Sequence, residues 1–251
     1  MMKRLYCLLI LVLLGITVNG QLIPGVVASS IHVSGGSSEP PSFLTSDGIT
    51  FTWVKAAAAN LTLNGTQITG INDIGPNNHD WTGQGTPGAQ WDASNGEIDF
   101  TYGSSAGLYV SSAPTSIPIT VYIVVRLTDW ADGHAIIYFS LPSNRINQAG
   151  GTGDILLYAG QYDLFATTDL GTYGVITATI NGASSSIQWN DDTPVTGNAG
   201  TNALDGTYYI GYDADNANMS IKEVIIRSNN ESAQNRTDVK TYFYNAYSIT
   251  P

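Results

Sequence analysis

The chain has 251 residues, 43% hydrophobic and only 12% charged, with 9 Lys+Arg against 20 Asp+Glu and a formal charge of −11. A disordered chain carries more charge and fewer rings than the 14 Tyr, 6 Phe and 5 Trp present, so that class is excluded. The acidic balance also excludes a nucleic-acid partner, which needs a basic face.

Residues 1–20 have the layout of an export signal peptide. Lys3 and Arg4 precede an apolar run, Leu5 to Leu14, that is too short to span a bilayer. Small and polar residues from Gly15 to Gly20 then offer a cut before Gln21. The expected product is secreted or held at the cell surface. It keeps 7 basic residues against 20 acidic ones, a charge of −13, and has no cysteine, because Cys7 lies in the signal. A core of this size stands without disulfides. No later apolar stretch is long enough for membrane insertion.

Residues 21–47 contain the Gly-, Ser- and Pro-rich stretch from Ser34 to Pro41 and read as an N-terminal arm or linker. From residue 48 to 251 short β-prone runs follow one another, separated by Gly, Asn, Asp and Pro. The spacing predicts strands over Thr50–Val54, Ile119–Leu127, Ala135–Leu141, Ile155–Tyr158, Tyr162–Ala166, Tyr173–Asn181, Ser185–Asn190, Thr207–Tyr212 and Met219–Arg227. Pro118 can start a strand without removing a ladder bond. Alternation puts Val175, Thr177 and Thr179 on one face and Ile176, Ala178 and Ile180 on the other. Asn181-Gly182 signals a two-residue hairpin. One helix is expected near Ser232–Ala246, with Ser228 and Glu231 at capping-box spacing and Val239, Tyr242, Phe243 and Ala246 on its docking face. Many short strands with even turn spacing in one domain predict an all-β sandwich.

Several stretches resemble the laminin-G-like domains of bacterial secreted proteins, in the concanavalin A-like superfamily. In Ile71–Asp80, residues Asp73, Gly75 and Asn77 keep the pattern of that family's loop. Gly96-Glu97-Ile98-Asp99-Phe100 is similar to one of its strands. Tyr209-Ile210-Gly211, Ser220–Ile226, and the helix with Arg236, Val239, Tyr242 and Tyr247 look like its ending. The resemblance implies a jelly-roll sandwich of two curved antiparallel sheets with a short C-terminal helix. It also implies a carbohydrate-binding or adhesive role, or in some members glycosidase activity.

The laminarinase-type branch pairs a nucleophilic Glu with an acid/base Glu on one strand, and retaining chemistry needs two carboxyl groups roughly 5–5.5 Å apart. Glu97 and Asp99 match that motif, but Thr101 and Tyr102 stand where the last carboxylate belongs. The simpler reading turns Ile98 and Phe100 into the core and leaves Glu97 and Asp99 on a wetter face, so no catalytic residue is assigned and the chain is expected not to be an enzyme. His32, His79 and His134 are not spaced for zinc.

Sugar sites pair an exposed ring with Asp, Asn or Gln that bond hydroxyls. Three loops have that mixture and supply the candidates: Asn78, Asp80 and Trp81; Asp129 and Trp130; Trp189 and Asp191. Trp53 and Trp91 sit among strand-like neighbours and are core candidates. Structural calcium, which the resemblance also suggests, would draw on Asp191, Asp192, Asp213 and Asp215 in the acid-rich turns. Asn-x-Ser/Thr sequons at Asn60, Asn64, Asn218, Asn230 and Asn235 are attributed to a Ser/Thr/Asn-rich composition. The expected protein is a secreted module that binds a glycan or cell-surface polysaccharide. A hydrolase using Glu97 and Asp99 and a purely structural extracellular subunit are the alternatives.

Overall fold

Runs such as Ile119–Leu127 and Met219–Arg227 are dense in β-branched residues, which favour extended backbone. Both form strands over the residues expected. A computed structural model of the chain describes residues 37–103, 106–140, 144–149, 153–161, 164–211 and 216–251, all in one compact unit. The expected signal peptide over residues 1–20, residues 21–36 of the expected arm, and Tyr162, Tyr212, Asp213 and Asp215 lie outside the described residues.

Among the described residues there are seventeen strands. They are β1 (Thr50–Lys55), β2 (Leu61–Asn64), β3 (Gln67–Ile71), β4 (Trp81–Gln84), β5 (Gln90–Asp92), β6 (Glu97–Phe100), β7 (Gly107–Ser111), β8 (Ile119–Leu127), β9 (Ala135–Ser140), β10 (Asn144–Gln148), β11 (Asp154–Tyr158), β12 (Leu164–Thr167), β13 (Tyr173–Ile180), β14 (Ser185–Trp189), β15 (Val195–Gly197), β16 (Thr207–Ile210) and β17 (Met219–Arg227). A one-turn helix, α1 (Phe43–Ser46), precedes them and α2 (Ala233–Tyr247) follows.

Every paired strand is antiparallel. In one layer β17 pairs with β8 along its length, with β6 at its start and with β1 at its end, and β8 continues through β13 and β14 to β15. The other layer runs β2, β3, β4, β7, β16, β9, β10, β11, β12. A β3–β5 pairing joins the layers at one edge, so the array is an all-β sandwich of jelly-roll type that nearly closes on itself.

Period-two alternation decides what lies between the layers. Ile119, Val121, Ile123, Val125 and Leu127 of β8, with Ile176, Ala178 and Ile180 of β13, enter the inner core. Tyr122, Val124 and Val175 point the other way and are covered by α2 through Val239, Tyr242 and Phe243. A register shift between Ile221 and Glu223 turns Ile221, Val224 and Ile226 inward and Ile225 outward. Burying each such side chain stabilises the fold by roughly 1.5–3 kcal/mol.

The structure changes three details. Helix α2 is capped by Ser232, whose Oγ accepts the Asn235 amide at 3.0 Å. Ser228 bonds Ile49 instead, and Glu231 bonds Arg227 and Asn235. The β13–β14 connection is a four-residue loop with a 3-10 turn over Gly182–Ser184, rather than a two-residue hairpin. Residues 37–47 are not a free arm: Leu44 is fully buried against α2, and the buried Arg227 guanidinium holds the Asp47 carboxylate at 2.5 Å. Among the described residues no helix is long and apolar enough to cross a membrane.

Candidate functional site

The three predicted sugar loops are built differently. In the first, the Asp73 carboxylate accepts the amides of Trp53, Gly75 and His79, each at 2.8 Å, and the Asp80 carboxylate accepts the Asp73 amide at 2.8 Å. Asn77 bonds the Thr50 carbonyl, and a side chain at Gly75 would crowd Asp73 at 2.9 Å. The motif thus folds its own loop. Asn78 is exposed in the left-handed region (φ 55°), but Trp81 is 1% exposed and its indole N–H donates to Thr52 at 3.0 Å. Trp81 cannot be a sugar platform, because strand pairing with Ile71 turns it into the core.

In the second loop Trp130 is half-exposed, and its amide donates to the Asp129 carboxylate at 2.7 Å. The neighbouring His134 ring stacks on the exposed Tyr102 at 4.1 Å. In the third loop Trp189 is buried, and its ring lies so close to Gly174 that a methyl there would come within 2.2 Å. Trp189 therefore also offers no face to a sugar. The Asp191 carboxylate accepts from the Lys240 ammonium at 2.6 Å and the Tyr244 hydroxyl at 3.1 Å, which ties the loop to α2.

The calcium expectation loses support at Asp191, since its charge is already matched by Lys240. Asp192 shapes the turn through its own backbone, donating to the Trp189 carbonyl at 3.0 Å and accepting from Gln188. Asp213 and Asp215 lie outside the described residues.

Ile98 and Phe100 do face the core, with Glu97 and Asp99 on the outer side of β6. That outer face is drier than expected at Glu97, which is 2% exposed. Its carboxylate accepts from Arg126 at 2.7 Å and from the Tyr173 hydroxyl, with the Lys222 ammonium at 3.6 Å. Arg126 and Lys222 also lie over the Tyr173 ring, at 5.2 and 4.9 Å. Asp92, Glu97 and Asp99 bring carboxylate oxygens within 4.8 Å of one another. Desolvation raises the Asp99 pKa, opposed by the Ser220 hydroxyl and reinforced by Glu97 and Asp92. Side-chain bonds from Ser94 and Asn95 hold Asp92 down at about 2. Two cations and a tyrosine already satisfy Glu97, so the trio is an internal charge network rather than a vacant ligand set.

Tyr173 leads from that network to a groove. Where α2 ends, a groove of about 610 Å³ is lined by Asp169, Thr172, Tyr173, Asn190, Tyr247 and the C-terminal residues 248–251. Both rings are fixed by their hydroxyls, Tyr173 on Glu97 and Tyr247 on the buried Glu223. Asn190 holds a left-handed conformation (φ 46°) and accepts the Val175 amide at 2.8 Å through its side-chain oxygen. Its amide nitrogen makes no hydrogen bond among the described residues. Asp169 and Thr172 are exposed on the opposite lip. Of the predicted loops only the third reaches this groove, through Asn190. The Tyr–Asp–Asn–Thr combination was missed because its members come from three separate stretches of chain, 169–173, 190 and 247–251.

No protein-family model matches the sequence, and no curated protein is significantly similar to it. Solved structures share the fold. Trypanosoma rangeli sialidase in complex with sialic acid superposes with a TM-score of 0.56 at 10% identity, over 77% of this chain and 33% of that one. The binding domain of botulinum neurotoxin DC in complex with rat synaptotagmin II gives 0.54 at 12%, over 79% and 52%. A botulinum neurotoxin type C structure, described with cell entry dependent on two ganglioside molecules, gives 0.55 at 12%, over 79% and 51%. The chain therefore spans about a third of the sialidase and half of the toxin chains. This likeness corrects the expectation of a non-enzyme. Chains that share this fold include sialidases, so one incomplete glycosidase motif is no ground for that exclusion.

Proposed function

We propose that the chain is a secreted carbohydrate-binding sandwich, of the concanavalin A-like, laminin-G-like kind, with its glycan seated in the groove at the end of α2. The observation that carries this reading is the lining: two immobilised tyrosine rings beside Asp169, Thr172, Asn190, Ser248 and Thr250. A sugar presents a C–H face to a ring and a rim of hydroxyls to such polar groups. Fixed rings lose little freedom on binding. The export signal supports an extracellular glycan or cell-surface polysaccharide as partner. Structures of the same fold with sialic acid or a ganglioside connection support a sugar ligand in general.

The test is a glycan array followed by titration calorimetry. Asp169→Ala combined with Thr172→Ala should weaken the strongest neutral-glycan hit at least tenfold and leave the melting temperature unchanged, since both side chains are exposed. A silent array, or a variant that binds like the parent, would sink the proposal.

A second reading, hydrolysis at Glu97 and Asp99, has one observation in its favour: the closeness of their carboxyl groups, near the separation that retaining glycosidases use. Release of reducing ends from β-glucans by the parent, abolished in Glu97→Gln, would establish it.

A further inference from the structure

The N-terminal half of α2 shelters a second hollow, on the outer side of β13–β15. Its walls are Thr177, Ser186, Gln188, Pro194, Thr196 and Arg236, and its volume is about 140 Å³. That is room for about four waters or one small oxyanion, and not for an oligosaccharide. Gln188 is held at both ends, its side-chain oxygen by Lys240 at 3.3 Å and its nitrogen by the Asp192 carbonyl, so this wall is rigid.

Two independent features point to a missing ligand. Thr177 is 3% exposed, and its hydroxyl makes no hydrogen bond. A buried hydroxyl left unpaired is unfavourable and calls for a partner. Tyr122, opposite Thr177 in the β8–β13 register, is also buried with an unpaired hydroxyl.

The second feature is charge. Lys55, Arg126, Lys222, Arg227 and Lys240 each pair with a carboxylate. Arg145 bonds Asn147 and lies over Tyr158. Among the described basic side chains, Arg236 alone has neither ion pair, side-chain hydrogen bond nor ring partner, although it is half-buried. Of the acids near α2, Glu231 is taken by Arg227 and Asn235, Asp191 by Lys240, and Asp238 accepts from Gln234 and has no ion pair with Arg236. In a chain with 20 acidic and 9 basic residues, a half-buried guanidinium without an ion pair is left available to an anion from outside.

We propose that this hollow is an oxyanion site, in which Arg236 and the hydroxyls of Thr177, Ser186 and Thr196 hold one sulfate or carboxylate group, either pendant on an acidic glycan or as a free ion. None of these residues lines the groove assigned to the glycan, so the site stands whether or not that assignment does.

The experiment is a thermal-shift and calorimetric titration of the purified chain. The probes are sodium sulfate against sodium chloride at matched ionic strength, then sulfated, uronic-acid-containing and neutral oligosaccharides. Saturable binding of at least one oxyanion is expected. Its affinity should fall at least tenfold in Arg236→Gln and several-fold in Thr177→Val, with partial retention in Arg236→Lys. Both Arg236→Gln and Thr177→Val should melt no lower than the parent without ligand, since neither removes an existing bond. Binding of acidic oligosaccharides alone assigns the anion to a glycan; equal binding of inorganic sulfate assigns it to a free ion. Either result supports the site. It is overturned if no oxyanion binds saturably, or if Arg236→Gln binds like the parent. Neutral-oligosaccharide binding, which belongs to the groove, should be the same in Arg236→Gln and the parent.

Discussion

At the residue scale, Glu223 shows how the polar side of the fold is wired. It is 1% exposed between β17 and α2, where it accepts from the Trp53 indole at 2.5 Å and from the hydroxyls of Tyr242 and Tyr247, with Lys55 at 3.8 Å. Burial is the dominant influence and raises its pKa, against the opposing effect of those donors and of Lys55. A carboxyl whose folded pKa is raised stabilises the native state fully below its unfolded pKa, about 4.3, and loses that contribution as pH rises through the folded value. Glu223→Gln has no such titration. The melting temperature of the parent minus that of Glu223→Gln should therefore shrink as pH is raised from 4 toward neutrality. A difference that stays flat or grows would show that the donors, rather than burial, govern this carboxyl.

The same scale explains why two predicted sugar platforms are core. Trp189 stands two residues after Ile187, so period-two alternation alone puts it on the inner face. That signal was legible and was outweighed by the Asn-Asp-Asp turn beside it. Arg236 gave no such signal. A basic residue in a helix is ordinary, and only the positions of the other described charges reveal that this one has no ion pair among them.

At the element scale, α2 is both the cover of the outer sheet face and the wall of both hollows. Its docking face was readable because Val239, Tyr242 and Phe243 recur at helical spacing. Its start was misread: Ser228 and Glu231 have capping-box spacing, but Glu231 is drawn to the buried Arg227, which leaves Ser232 to cap. Ser232→Ala should cost about 1 kcal/mol, a drop of roughly 2–4 °C in melting temperature for a domain of this size. Ser228→Ala should cost less, since its hydroxyl bonds the Ile49 carbonyl and caps no helix, whereas Ser232 satisfies an unpaired helix N–H. Calorimetric melting of the two variants checks the order. The short strands β2–β5, β7, β10 and β15 escaped prediction because three to five residues carry too little periodicity, and pairing in the tertiary fold supplies what propensity does not.

At the scale of the whole molecule, the boundary of the domain moves. Leu44 fills the α2 side of the sheet, and Asp47 neutralises the fully buried Arg227. A chain beginning at residue 48 should be less stable than one beginning at residue 37 by several kcal/mol. Loss of a buried leucine typically costs about 2–5 kcal/mol, and loss of Asp47 adds less, since Asp47 is exposed and Arg227 keeps Glu231. Denaturant unfolding of the two chains, with Asp47→Asn in the longer one as the control for the charge, checks this. Equal midpoints would return residues 37–47 to the status of a linker.

Local pattern by itself determined the all-β class, the positions of the long strands β8, β13 and β17, and the docking helix, because alternation and helical spacing are properties of neighbouring residues. The resemblance also named Asp73, Gly75 and Asn77, whose task turns out to be closing their own loop. What only the tertiary structure decided is where ligands could sit. The groove joins Asp169, Tyr173, Asn190 and Tyr247, and the oxyanion hollow joins Thr177, Ser186, Thr196 and Arg236. Cavities and unmatched charges arise from distances between chain segments far apart in sequence, and no spacing rule along one segment encodes them.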